Sequence, residues 1–425
     1  MIIPAWATVA LSVPVLVSGD RMIRRVRLLD RFNIPAPVAG GLLVALLLAV
    51  GHVSGWWSVT LASSSDARWW TWLVTAEPAW FAGPSRPVHT PFLVAFFTCI
   101  GLSASVTLVR RAGVKVLLFL GAALVLAVMQ NFLGVWLARL LGESPLLGLV
   151  CGSVSMTGGH GTAMGFAPEL ASAGLPSAAE LGMAAATFGL VAGGLIGGPL
   201  GGALIRRHHL KSGAPQAGPS DDGELPNCTG FFADLQRLRA FGRALLPVIL
   251  LLLACIKGGA WISSWLEDTG LTFPVYMGAL LTGVVVRNLL ELTGVLRVRD
   301  EMIDALSSVF LGLFLTIAMM GIRLQELVGT AGPMLLILSA QVAIMAAFAW
   351  WVTFRLMGRD FDAAVLAGGH CGFGLGATPS AIANMQVLCA HHGPAPVAFL
   401  VVPLVGAFLI DFVNALNITA FLNHL

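Results

Sequence analysis

Long apolar runs separated by short polar breaks set the pattern of this chain. Runs long enough to cross a bilayer as helices fall at roughly 2–19, 34–53, 91–109, 114–141, 177–205, 242–266, 274–294, 303–321, 331–354 and 393–418. They predict an all-α polytopic membrane protein of about ten spans. Two stretches resist that reading, about 144–172 and 361–388. The second contains Ala367-Gly-Gly-His-Cys-Gly-Phe-Gly-Leu-Gly-Ala-Thr-Pro-Ser-Ala-Ile-Ala-Asn384. Its five glycines (Gly368, Gly369, Gly372, Gly374, Gly376) and Pro379 are expected to break a regular helix. The first contains Ser153-Val-Ser-Met-Thr-Gly-Gly-His-Gly-Thr-Ala163, and both carry Gly-Gly-His, at 158–160 and 368–370. Lipid cannot satisfy broken backbone, so each stretch must sit inside protein or line a wet cavity. We expect a re-entrant hairpin at each. Paired, glycine-interrupted segments at matching places in two halves point to a transporter's binding site.

Composition and charge sharpen the picture. Of 425 residues, 57% are hydrophobic and only 11% charged, which excludes a soluble globular protein of this size and gives no footing for a nucleic-acid partner. With the N-terminus outside, the inner loops collect Arg21, Arg24, Arg25, Arg27, Arg31, Arg110, Arg111, Lys115, Arg206, Arg207, Lys211, Arg237, Arg239, Arg243, Arg297, Arg299, Arg355 and Arg359. The outer loops keep chiefly Arg68, Arg86 and Arg323. The positive-inside rule then predicts both termini on the outer, periplasmic side. Residues 207–241 read as a cytoplasmic linker between two halves, 1–206 and 242–425, each of five spans and one hairpin. Five being odd, the halves insert in opposite senses, hairpin one dipping in from outside and hairpin two from inside. An internal repeat is supported by Pro37-Val-Ala-Gly-Gly41 against Pro274-Val-Tyr-Met-Gly278. Gln130 against Gln341 and the two Gly-Gly-His motifs add to it, at offsets of 237, 211 and 210.

Several features read structurally. Residues 55–90 hold Trp56, Trp57, Trp69, Trp70, Trp72 and Trp80, expected as an outer-interface aromatic belt, with a lid or partner surface as the alternative. The six cysteines form no CxxC and no zinc spacing, so they read as small buried hydrophobes. The first apolar run, Ile2 to Ser18, precedes a basic loop without a small-residue cleavage site and reads as a retained span. His160 and His370 lack a third metal ligand and read as packing or hydrogen-bonding residues. Lys257 is expected to snorkel out of its span. Gly193-Gly194-Leu-Ile-Gly197-Gly198 serves either a dimer contact or packing within one subunit.

The chemistry lies at the breaks. Where a re-entrant hairpin reverses, free N–H groups of helix N-termini suit carboxylates, and freed carbonyls suit sodium. Thr157, Gly158, Gly159, Gly161 and Thr162 at the first tip, with Gly374, Gly376, Ala377, Thr378, Pro379 and Ser380 at the second, are the candidate substrate-binding residues. Asp411 joins them as an intramembrane carboxylate, costly to bury and so a functional-site candidate for a cation or a substrate ammonium. Asn414, three residues on and on the same helical face, and Asn384 complete the candidate sodium set with Asp411. No catalytic constellation is present, which speaks against an enzyme.

At these residues the chain resembles the bacterial sodium/glutamate symporter family. The resemblance runs from Ile34-Pro-Ala-Pro-Val-Ala-Gly-Gly41 through Met129-Gln-Asn131, Ser155-Met-Thr-Gly-Gly-His-Gly-Thr162 and Ala186-Thr-Phe-Gly189, then through 362–386 to 398–416. It implies sodium-driven uptake of L-glutamate across the bacterial inner membrane, with sodium the coupling ion and no other cofactor. It also implies inverted repeats with re-entrant loops, and a homodimer among lipid working by an elevator-type mechanism. Ala163-Met-Gly165, where Gly-Ala-Ala is expected, departs from the family, and the Trp-rich segment is longer than expected. Proton coupling, exchange, or a passive channel with two opposed hairpins remain alternatives at this point.

Overall fold

The computed structural model describes residues 2–26, 29, 34–55, 59–62, 64–67, 71–76, 85–107, 113–212, 231–267, 273–295, 298–323, 327 and 329–425. Among the described residues, every one of the predicted apolar runs is mainly helical. In chain order the helices are α1 (Ala5–Arg25), α2 (Ala36–Val53), α3 (Thr90–Ser103), α4 (Val114–Leu140), α5 (Pro145–Leu149), α6 (Gly159–Ser172), α7 (Ala178–Arg207) and α8 (Phe231–Phe241). There follow α9 (Leu245–Glu267), α10 (Met277–Thr293), α11 (Asp300–Met320), α12 (Ala331–Phe348), α13 (Phe361–Leu375), α14 (Thr378–His392), α15 (Pro396–Leu404) and α16 (Ile410–Leu422). Among the described residues, five helical stretches are long and apolar enough to cross a membrane: Val114–Leu140, Ala178–Arg207, Ala233–Leu266, Asp300–Met320 and Ala331–Leu356. Their outer faces are greasy; on α4, Leu117, Val125, Phe132 and Trp136 are each more than half exposed. Such a surface belongs in lipid, and the chain is a multi-pass membrane protein.

The chain folds as two compact units, Met1–Val106 with Cys228–Glu326, and Thr107–Asn227 with Leu327–Leu425. The first contains α1–α3 and α8–α11. Close helix packing there uses glycine: Gly101 faces the Leu280 carbonyl and Gly40 the Val15 carbonyl, with no room for a Cβ. Arg287 on α10 pairs with Glu291 and Asp300 at 2.7 Å each, and Ser105 donates to Glu291 at 2.8 Å. The last residues of the expected linker form α8, where Asp234 accepts from Ser308 at 2.6 Å; residues 213–230 lie outside the described residues.

Lys257 corrects the snorkelling expectation. Its ammonium donates to the carbonyls of Trp72 and Thr75, both at 2.9 Å, and sits 4.2 Å from the centroid of the Trp72 ring. The cation therefore ties a 3₁₀ turn, Trp72–Val74, onto α9 by charge-assisted bonds and cation–π attraction. Trp56, Trp57, Trp69, Trp70 and Trp80 lie outside the described residues.

The second unit holds α4–α7 and α12–α16, and here the glycines decide how the helices meet. Gly189, Gly193, Gly197 and Gly201 line one face of α7 at four-residue spacing. Their Cβ positions would strike, in turn, the carbonyls of Leu375 and Cys371, the Asn384 amide and the Leu388 side chain. That stripe seats α7 directly on α13 and α14. Packing within the subunit thus accounts for Gly193 and Gly197, while Gly198 faces open space.

Of the five glycines expected to break the helix, only Gly376 lies at the break, among the residues expected at the second tip. α13 runs unbroken through Gly368, Gly369, Gly372 and Gly374, and the interruption falls at Gly376–Ala377. The four glycines instead grant close approach, Gly372 to the Ala381 backbone and Gly368 to Gly197. Burial supplies enough packing to override a propensity cost of about 1 kcal/mol per glycine. Pro379 does not break a helix either, because it occupies the first turn of α14, where its missing N–H costs nothing.

Candidate functional site

Both interruptions lie in the second unit, and they meet. After α5 the backbone widens into a π turn, Val150–Val154, kinks at Gly152 (φ −88°, ψ −140°) and resumes as α6 at Gly159. α13 stops at Leu375 and α14 restarts at Thr378. Gly159, in the left-handed region at φ +63°, presents its α-carbon to the Gly376 carbonyl, where an added Cβ would stand 2.6 Å from the oxygen. Only glycine fits at that crossing. The first turns of α6 and α14 leave N–H groups without intrahelical acceptors, and the preceding segments end in carbonyls that lack the regular helical donor.

A framework of neutral side chains holds the breaks. Gln130 accepts from the Thr157 hydroxyl at 2.7 Å and donates to the Gly374 carbonyl at 2.8 Å. Gln341 donates to the Gln130 carbonyl at 2.8 Å. Asn131 Oδ1 accepts from the Ser153 N–H at 2.7 Å, Asn414 donates to the Ser153 carbonyl at 3.0 Å, and Asn417 donates to Asn414 Oδ1 at 3.3 Å. Thr378 donates to the Gly406 carbonyl at 2.6 Å, and Gly406 itself lies in a second π turn, Val405–Leu409. Each π turn frees a carbonyl, which these polar side chains occupy.

The predicted residues divide by environment. Gly158, Gly161, Ala377, Thr378 and Asp411 are half-buried and Pro379 is exposed, whereas Thr157, Gly159, Thr162, Gly374, Gly376, Ser380, Asn384 and Asn414 are buried. The hydroxyl hydrogens of Thr157 and Thr378 are committed to Gln130 and Gly406, so what they can still offer a ligand is an oxygen lone pair. That suits a cation and not a carboxylate. Thr162 folds over Gly158. Ser380 is fully buried with its hydroxyl unpartnered, a group free to bond a ligand. Asp411 lies on the first turn of α16, one turn before Asn414, and makes no hydrogen bond or ion pair among the described residues. The Asn384 amide donates to the Gly193 carbonyl at 2.9 Å, tying α14 to α7 through its N–H.

The histidines pack. His160 Nε2 lies 3.0 Å from Thr187, whose hydroxyl donates to Met183, so the ring must be the donor. His370 is buried among Phe119, Phe348 and Phe373 and shares a hydrogen bond of 2.8 Å with Thr353. Ala163 points its methyl at Gly182 of α7, so the departure at 163–165 begins on the face away from the tip.

Sequence reasoning did not single out Asn131, Ser153 and Asn417 as site residues, and it used Gln130 and Gln341 only as repeat markers. The signal was available in part, because uncharged amides inside apolar helices are expensive unless bonded. Apart from the Asn417–Asn414 bond, however, their partners lie 22 to 264 residues away in the chain.

Comparison with known proteins fits this geometry. The sodium/glutamate symporter family profile matches residues 1–69 and 80–394, its gap falling inside the Trp-rich segment. The chain is similar to the sodium/glutamate symporter of Escherichia coli (strain K12), with 41% identity over 418 residues, 98% of this chain and 96% of the relative. A second relative, the sodium/glutamate symporter of Haemophilus influenzae, shares 40% identity over 412 residues, 96% of this chain and 95% of its own. With both lengths covered almost end to end, and with two interrupted helices converging on one site, the chain belongs to the sodium/glutamate symporter family.

Proposed function

We propose that the chain is a secondary active transporter coupling inward sodium flow to uptake of L-glutamate across the bacterial inner membrane. The observation that carries this is 41% identity across 98% of the chain to a sodium/glutamate symporter. The chemistry of the second unit supports it. In this reading the first-turn N–H groups of α6 and α14 receive the substrate carboxylates, as helix N-termini do for anions. The ammonium group and sodium fall to Asp411, Asn414, the acceptor oxygens of Thr157 and Thr378, and the carbonyls at the breaks. Ser380 turns its hydroxyl to the substrate, and Asn384 acts on sodium through the placement of α14.

The same reading takes 1–206 and 242–425 as inverted repeats flanking the linker 207–241, with re-entrant hairpins at 144–172 and 361–388 and both termini periplasmic. What supports it is the parallel order of elements. Each half gives three long helices to the first unit, then one helix, a helix–break–helix and a closing helical segment to the second. We take the second unit, which carries both breaks, as the moving body of an elevator-type cycle in a homodimer.

The test is uptake of labelled L-glutamate into proteoliposomes under an inward sodium gradient, a proton gradient, or neither. Sodium-dependent accumulation is expected. Accumulation on protons alone would overturn the coupling ion, and saturation with counterflow would separate a carrier from a channel.

A further inference from the structure

Gln130 is closed off from solvent, yet its side chain bonds a candidate site residue at each helix break, Thr157 and Gly374. It is fully buried on α4. The direction of its bonds is forced. The Gly374 carbonyl can only accept, so Nε2 faces it at 2.8 Å; Oε1 then remains for Thr157, whose hydroxyl must donate at 2.7 Å. Flipping the amide would set two acceptors against each other at Gly374. Gln341 Nε2 bonds the Gln130 carbonyl at 2.8 Å and steadies the turn from which the amide projects. A leucine of similar size would bury at no polar cost. The amide is satisfied only while the first break, at Thr157, and the last turn of α13 before the second, at Gly374, keep their present spacing.

We propose that Gln130 is a positioning residue that makes the two breaks take their binding geometry together, so that sodium and glutamate raise each other's affinity. The inference rests on the transport reading above. A ligand that orders one break also orders the other through the shared amide, and the second ligand meets a site already formed.

The experiment measures binding of L-glutamate to the purified full-length protein by calorimetry at low and at high sodium, for wild type, Gln130→Leu, Gln130→Glu and Gln341→Leu. Wild type is expected to bind glutamate more tightly at high sodium. Both Gln130 variants should lose about tenfold of that enhancement, the scale of a buried hydrogen bond lost. By linkage, glutamate's effect on sodium affinity should fall by the same factor. Gln341→Leu removes an equally buried amide whose bond reaches only helix backbone; it should lower the melting temperature and keep the enhancement. Full enhancement in either folded Gln130 variant overturns the inference, as does an equal loss in Gln341→Leu. If Gln130→Leu does not fold, Gln130→Glu decides; failure of both to fold marks Gln130 as a packing residue and overturns the proposal too. Absence of any sodium effect in wild type would instead refute the sodium-coupled reading itself.

Discussion

Gly159→Ala tests the crossing of the two breaks. Alanine at φ +63° costs about 1–2 kcal/mol because its Cβ crowds the following carbonyl. Its methyl would also stand 2.6 Å from the Gly376 oxygen, so reaching an ordinary contact near 3.4 Å requires the breaks to part by about 0.8 Å. Overpacking of that kind costs about 1–3 kcal/mol. If the substrate binds across this crossing, the same amount is lost from binding, or about tenfold to hundredfold in apparent glutamate affinity. Gly174 separates the two effects. It too is left-handed, at φ +115°, but a Cβ there meets nothing within 4 Å. Gly174→Ala therefore carries the backbone strain alone. Sodium-driven uptake in proteoliposomes, at matched amounts of monodisperse protein, should show weak glutamate affinity for Gly159→Ala and near wild-type affinity for Gly174→Ala. Equal affinities in the two variants would refute the reasoning, since the approach of the breaks would then have no bearing on the substrate.

Three further outcomes are expected. Thr378→Val removes the 2.6 Å bond to Gly406 and should weaken apparent glutamate affinity about threefold to tenfold without unfolding the protein; unchanged affinity removes Thr378 from the site. Asp411→Asn keeps shape but removes the charge, and should abolish or shift the sodium dependence of uptake; a sodium activation curve identical to wild type would take Asp411 out of the ion site. Lys257→Met keeps the aliphatic stem and loses two charge-assisted bonds to the Trp72 turn; it should cost about 1–3 kcal/mol of stability, read as a lower melting temperature in detergent, with glutamate affinity unchanged.

Much of the fold was legible because hydropathy depends on local sequence. Each apolar run is largely helical where described, and each of the two stretches that carry Gly-Gly-His contains a helix interruption. The second interruption falls at Gly376–Ala377, among the residues expected at its tip; that the glycines before it would stay helical was not legible. Composition marks Gly368 to Gly374 as weak helix, but a glycine in a tight crossing gains from close packing what it lacks in propensity, and only the tertiary partners Ala381 and Gly197 reveal that. Lys257 was misread for a related reason. A lone cation in a span looks like a snorkelling residue until the turn at Trp72, some 185 residues earlier in the chain, brings two carbonyls to it. The amide framework was half-legible: buried glutamine and asparagine announce that they need partners without saying which.

On the transport reading, that framework also accounts for holding charged cargo at the breaks without fixed countercharge there. The groups that hold Ser153, Thr157, Gly374 and Gly406 are neutral: Asn131, Asn414, Gln130 and Thr378. Neutral amides and hydroxyls, once bonded, cost little when the site is empty, whereas a buried arginine would stand unpaired after each release and incur the desolvation penalty of an isolated ion. On the transport reading, charge compensation then has to come from the ligands and from Asp411. The amino acid brings carboxylates that the helix N-termini can only partly neutralise, and sodium brings the missing positive charge. On that reading, breaks held by neutral groups favour sodium and glutamate together over either alone, and coupling follows from electrostatics as well as from the geometry that Gln130 shares between the breaks. Adding a fixed cation at the first tip should therefore weaken the demand for sodium. Gly161→Lys, at a half-buried position on the first turn of α6, is the direct way to ask. Sodium dependence undiminished in a folded Gly161→Lys variant that still binds glutamate would mean that charge compensation is not what links the two ligands.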